Sequence, residues 1–283
     1  MSENRAETDQ AALSALAWQV ELGADEAIAE APINRFEESA QKPAPAQAAT
    51  RPAPEAPRAA GAATTAVPDA RHSPSEATAM GDTATLAAGA QTLDELARIV
   101  EAWDGTPLKA GARNFVFSDG TPGAKLMVIG EAPGAEEDRQ GKPFVGTAGR
   151  LLDRMLAAIG RDRNDADPAR SVYITNMVTW RPTGNRTPTD TESEAFRPFL
   201  ERHIQLADPD IVISMGNTPT KGLLRTTTGI KRMRGTWVRH QASGKPLLPT
   251  FHPAYLLRQP GDKRLAWLDL IAAAKALEGQ DPL

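Results

Sequence analysis

Apolar positions along this chain fall into two regimes. From residue 92 onward, four short runs are built around consecutive apolar residues: KLMVIG (125–130), SVYITN (171–176), DIVISMG (210–216) and KPLLPTFHP (245–253). Runs of this length, without alternation, mark strands buried on both faces. Elsewhere apolar residues recur at three- and four-residue spacing, which predicts helices over 148–160, 191–206, 218–225 and 262–277. A further helix is predicted over 92–103, where Thr92 and Glu95 stand as a capping box. Strands that alternate with helices predict an α/β fold: a three-layer α/β/α sandwich around a central four-stranded, mainly parallel sheet.

The first third of the chain reads differently. Residues 12–30 have the spacing of a short amphipathic helix, with Leu13, Leu16, Trp18 and Val20 as its anchors. Half of residues 41–90 are Ala or Pro, and no Phe, Trp or Tyr occurs between Phe36 and Trp103. Such a stretch buries too little apolar area to offset its ordering entropy. The expected organisation is a helical segment over 1–36, an Ala/Pro-rich flexible linker over 37–91 and a globular domain over 92–283. The first two form a disordered N-terminal extension. Its helix reads either as a docking element for a protein partner or as a helix packed on the main domain.

Composition narrows the chemistry. The chain has no cysteine, which excludes disulfides, thiolate metal sites and a cysteine nucleophile. Its four histidines make an all-histidine metal site improbable, and no cofactor is expected. No apolar run approaches the roughly 20 residues of a membrane helix. The N-terminal MSENRAETDQ lacks a signal-peptide pattern. The expectation is a soluble cytoplasmic protein without a membrane partner. The net charge of −4 conceals an asymmetry: residues 1–93 carry a balance of −7 and residues 94–283 a balance of +3. Within 221–264 ten Lys/Arg face one acid, Asp262. That excess suits a phosphate backbone, or simply a solvated basic face.

In a parallel sheet, ligands sit beyond the carboxyl ends of the strands, so the informative loops begin near 130, 176, 216 and 251. The first, GEAPGAEEDRQGKPFVGTAGR, has small residues at Gly130, Ala132 and Gly134 that admit a ligand close to the backbone. Its Phe144, bracketed by glycines, could stack on a planar ligand. It carries neither GxGxxG nor GxxxxGK[ST]. In the second loop, Asn176 ends its strand with a carboxamide, which both donates and accepts and so suits a pyrimidine edge. In the fourth, His252 stands at a strand end before a proline.

These loops carry a family resemblance. GEAPGAEEDRQGKPFVGTAGRLLDRML, VYITNMVTWRPTGNRTPT and HPAYLLRQPGDKRLAWLDL are similar, in order and spacing, to three signatures of family 4 uracil-DNA glycosylases. The match spans roughly 92–278, and WQVELGADEAI resembles the leader of alphaproteobacterial members, which implies a bacterial cytoplasmic location. The resemblance implies a monomeric enzyme that flips uracil out of single- or double-stranded DNA and hydrolyses its N-glycosidic bond, leaving an abasic site. It implies that Phe144 stacks on the base, that Asn176 reads its O4/N3 edge, that His252 donates to O2, and that the backbone at Ala132 and Gly134 holds the ring. Glu131 and Glu137 are the candidate water-activating carboxylates. Asn185, Arg186, Lys231, Arg232, Arg234, Leu256, Leu257 and Arg258 are the candidate DNA contacts, the leucines as a wedge. Lys263 and Arg264 are further candidate phosphate contacts.

The chain departs from the family at one point. Members hold a four-iron cluster on four cysteines, whose positions fall near Trp103, Thr106, Trp180 and Phe196. The three aromatic replacements are expected to fill that space as an apolar plug. Two other readings remain: a glycosylase for a broader set of deaminated bases, and a damaged-DNA binding module without catalysis.

Overall fold

A computed structural model describes residues 76–283, with side chains from Thr83 onward. The expected helix at 12–30 and most of the expected linker lie outside the described residues.

The sheet forms where the four apolar runs predict it. Strands β2 (Leu126–Gly130), β3 (Val172–Asn176), β4 (Ile211–Met215) and β6 (Pro246–Thr250) run parallel in the order β3-β2-β4-β6. Among the described residues the sheet has six strands rather than four, because the two-residue edges β1 (Asp119–Gly120) and β5 (Val238–Arg239) add antiparallel partners to β3 and β6. Pairs this short leave no apolar run to read. They shield the outer edges of a sheet that would otherwise present unpaired backbone groups.

Side chains of the central strands alternate between two cores, as the two-residue strand period requires. Leu126, Val128, Ile174, Ile213 and Leu248 enter one core with helix α5 (Thr147–Ala157) and helix α10 (Lys263–Leu277), through Leu152, Leu156, Leu270 and Ala273. Met127, Ile129, Tyr173, Val212 and Leu247 enter the other, with helix α2 (Leu93–Ala102) and helix α6 (Asp190–Ala207). The helices on both faces make the expected three layers.

One sequence expectation is corrected. The C-terminal part of the predicted linker is helix α1, Glu76–Gly89. It packs on α6 through small residues: Thr83, Ala87 and Ala90 are buried, and the Arg202 guanidinium donates to the Ala90 carbonyl at 2.9 and 2.6 Å. Alanine is the strongest helix former, and its small side chain lets backbones approach closely. A count of bulky apolar residues therefore misses this helix.

Three of the four residues at which the resemblance expects cysteines, Trp103, Trp180 and Phe196, lie on the same face. Trp103 meets Phe196 edge-on at 5.2 Å and Phe199 at 5.3 Å, and Trp180 stands 5.0 Å from Phe115. All belong to or pack against one apolar cluster. Thr106 is buried, and its hydroxyl accepts from the amide of Leu108, the first residue of helix α3 (Leu108–Gly111), at 3.3 Å. Phe196 is 1% exposed. Phe196→Ala is expected to cost about 3–5 kcal/mol of stability, because rings on several sides prevent collapse of the cavity. The urea midpoint measures this. A loss below about 1 kcal/mol would mean that the cluster tolerates an empty centre.

Buried histidines make the fold sensitive to acid. His203 accepts or donates at 2.9 Å with the Tyr173 hydroxyl, stacks on Phe117 at 4.3 Å, and is pushed down to about 3 by burial. His240 is lowered for the same reason. Each binds its proton more readily in the unfolded chain, near the ordinary value of 6.5. Their neutral burial therefore favours the fold fully above that value and is progressively lost as pH falls through it towards the folded pKa. A His203→Gln variant is expected to show a shallower fall of melting temperature between roughly pH 6.5 and 4 than the unaltered protein. An identical slope would remove His203 from the explanation.

Candidate active site

Four loops leave the carboxyl ends of the parallel strands. They surround a cleft of about 630 Å³. The first loop contributes Glu131, Ala132 and Gly134, the second Asn185 and Thr187, and the third Gly216, Asn217 and Thr218. The fourth contributes Phe251, His252, Ala254, Tyr255 and Arg258.

Of Phe144, Asn176 and His252, only His252 lines this cleft; Phe144 stacks on it and Asn176 lies beside Phe144 across Gly130. The register pairs Gly130 with Asn176, so β2 and β3 end level. A β-carbon on Gly130 would lie 2.4 Å from Asn176 Oδ1 and 2.5 Å from the Phe144 ring. Only glycine leaves room for both groups there. Asn176 is 4% exposed as a whole residue, and its carboxamide atoms are not among the buried polar atoms left without a partner, so they stay open to water or a ligand. The Phe144 ring stacks on the His252 imidazole, with centroids 5.4 Å apart and planes at 26°.

The protonation of His252 follows from local geometry. His252 is the N-cap of helix α9 (Pro253–Arg258), and its Nδ1 accepts from the Ala254 amide at 3.1 Å. That bond requires Nδ1 to be unprotonated, so the neutral ring carries its hydrogen on Nε2. Burial, reinforced by the nearby Arg258 charge, pushes its pKa down to about 4. At neutral pH the ring is an uncharged Nε2–H donor.

The two carboxylates have different surroundings. Glu137 sits on helix α4 (Ala135–Gln140), which the sequence left inside a loop, and clamps the turn around it. Its Oε2 accepts from Gly134 N at 3.1 Å, and its Oε1 from Val145 N at 3.0 Å and Gly146 N at 2.8 Å. Both oxygens are committed to backbone, which corrects the expectation of Glu137 as a water-activating group. Glu131 lines the cleft, and its Oε2 accepts from the Thr218 hydroxyl at 2.8 Å. One of its oxygens remains available.

Several expected DNA contacts are corrected. Leu256 is 1% exposed and packs with Leu151, Ile230, Phe251 and Ala266, so it is core. Its neighbour Leu257 is 39% exposed and keeps the candidacy as a wedge. Arg234 is consumed by Asp269, with Nε at 3.0 Å and Nη2 also on the carboxylate, and donates to Leu265 O at 2.9 Å. Arg186 holds Glu192 bidentately at 2.8 and 2.7 Å, which anchors the capping box of α6. Asn185 lines the cleft with φ +56° and accepts from Arg181 Nε at 2.7 Å. Lys231 and Arg232 are exposed on helix α8 (Ile230–Met233), whose first residue lines the cleft. Arg258, Lys263 and Arg264 are exposed and, among the described residues, make no ion pair. Sequence reasoning missed Asn217, Thr218 and Tyr255, which carry no distinctive spacing and enter the cleft only through the fold.

Among the described residues no group of His, Cys, Asp and Glu could hold a metal ion. An iron–sulfur cluster requires thiolate ligands. The chain has no cysteine, and the relevant positions hold indole, phenyl and a hydroxyl already in use. These residues do not fit such a cluster. No described helix is long and apolar enough to cross a membrane.

Residues 117–274 match the family model described as the uracil DNA glycosylase superfamily. The chain is 38% identical over 175 residues to a type-4 uracil-DNA glycosylase of Thermotoga maritima, across 60% of its own length and 86% of the relative's. It is 36% identical over 174 residues to one of Pyrobaculum aerophilum, with 59% and 86% covered. It is 37% identical over 175 residues to one of Saccharolobus solfataricus, with 59% and 78% covered.

Proposed function

The chain belongs to the uracil DNA glycosylase superfamily, and from that premise we propose that it repairs DNA by excising uracil, with Phe144, Asn176 and His252 as the groups that hold and activate the base. The observation that carries this reading is the placement of the Asn176 carboxamide, at the carboxyl end of β3, beside the Phe144 ring that stacks on His252.

A flipped uracil presents O4 as an acceptor and N3–H as a donor. The Asn176 amide offers the complementary pair, whereas cytosine presents the reverse pair and meets like against like. The Phe144 face supplies stacking. Cleavage of the N-glycosidic bond sends its electron pair into the base and leaves negative charge on O2. The Nε2–H of His252 stabilises that charge as it develops, without needing an imidazolium. The sugar gains oxocarbenium character, and water adds at its anomeric carbon. Glu131 is the one carboxylate of the first loop with an oxygen open to the cleft, which makes it the candidate for orienting that water. Glu137 shapes the loop. Leu257 is the candidate wedge for the vacated stack. Lys231, Arg232, Arg258, Lys263 and Arg264 are the candidate phosphate contacts. The chain is read as a monomer in the bacterial cytoplasm, with the N-terminal segment available to a protein partner.

The test uses oligonucleotides containing uracil, hypoxanthine, xanthine or a thymine mismatch, followed by alkaline cleavage at abasic sites. Strand breakage specific to uracil is expected. Binding without breakage would overturn the excision reading, and equal breakage at deaminated purines would replace it with a broader one.

A further inference from the structure

We propose that Arg163 is a positioning residue for Phe144, holding the stacking ring in a backbone conformation that phenylalanine does not adopt unaided. The inference rests on the reading of Phe144 as the base-stacking ring.

Phe144 has φ +54°, in the left-handed region that disfavours a bulky side chain. Such a conformation persists only where surrounding contacts impose it. Here the peptide is gripped from both ends. Glu137 takes the amides of Val145 and Gly146 on the downstream side. Arg163 donates Nη1 to Pro143 O on the upstream side and Nη2 to Phe144 O on the downstream side, both at 3.0 Å. Its side chain is buried, so these bonds are shielded from water.

The guanidinium is itself held in register. Its Nε donates to Asp153 Oδ1 at 2.8 Å, and Nη1 reaches Asp119 Oδ2 at 3.2 Å. Asp119 belongs to edge strand β1, and Asp153 to α5. One planar fork thus ties a sheet edge and a helix to two consecutive carbonyls. Lysine has a single centre and cannot satisfy all four partners. Gly149 completes the arrangement: a β-carbon there would lie 1.8 Å from Phe144 O, so the helix presses against the carbonyl that Arg163 holds. Returning Phe144 to a negative φ would redirect its Cα–Cβ bond and take the ring away from Asn176 and His252.

The test is a double-mutant cycle in single-turnover excision from a uracil-containing duplex, with affinity for an abasic duplex measured in parallel. Arg163→Lys is expected to slow excision by about 10²-fold, the scale of a reacting group displaced by about 1 Å. Abasic affinity should change little, because no base is left to stack. In a Phe144→Ala background, Arg163→Lys should cost less than about 2-fold, since the ring it serves is gone. Should Arg163→Lys fail to fold, Asp153→Asn loosens the same fork from a half-exposed position. It is expected to slow excision about 3–10-fold in the Phe144 enzyme, and again not in the Phe144→Ala enzyme. Equal factors in both backgrounds would overturn the positioning role while leaving uracil excision intact. No excision by the unaltered enzyme would overturn the excision reading, and this inference with it.

Discussion

Replacing His252 with alanine is expected to slow single-turnover uracil excision by about 10²–10³-fold, the usual loss when one preorganised donor to a developing anion is removed. The argument turns on the tautomer. The Ala254 amide occupies Nδ1, so the only hydrogen on the neutral ring is on Nε2. Burial and Arg258 hold the pKa near 4, so this form prevails throughout neutral pH. The excision rate should therefore be flat between roughly pH 6 and 9 and decline only as pH falls towards the folded pKa, where protonation of Nδ1 breaks the bond from Ala254. A rate that instead fell steadily as pH rose through 6 would mean that the imidazolium is the active donor, and would sink the neutral-donor account. The Ala variant should keep its melting temperature to within a few degrees, because a half-buried cap contributes about 1 kcal/mol. This separates lost chemistry from lost fold.

The parts of this site that could be read from the sequence are those where one residue acts through its own side chain at a strand end. Asn176 and His252 follow the last apolar residues of two buried runs, and strand geometry alone puts both at one sheet edge. The unread parts depend on partners distant in the chain. Arg234 looked like a free cation in a basic segment, but Asp269, 35 residues later, neutralises it. Leu256 and Leu257 are adjacent and chemically alike, and only the direction of a short helix makes one core and the other surface. Arg163 lies in the polar stretch RDRNDADPAR, where nothing in periodicity or composition marks it. Its importance arises because the chain returns it to two carbonyls 19 and 20 residues back. Helix α1 was missed for a related reason: its contribution is close backbone packing rather than bulk.

At Asn176 the expected result is an order of effects rather than a single loss. Asn176→Ala should slow uracil excision by about 10²-fold, since two hydrogen bonds to the base are lost and water is poorly placed to replace them. Asn176→Asp should be worse at neutral pH, despite its closer shape. An ionised carboxylate only accepts, and it would set an acceptor against uracil O4 in a position 4% exposed to solvent. Burial disfavours that charge and raises the carboxyl pKa. As pH falls, the protonated acid regains one donor and one acceptor, the same pair the amide offers. The Asp variant should therefore recover excision with falling pH and overtake the Ala variant. The measurement is the single-turnover rate of both variants across roughly pH 5–8, with circular dichroism to verify folding at each point. If Asp matches or exceeds Ala at pH 8, or if its rate ignores pH, Asn176 does not face O4, and the base is read by another group.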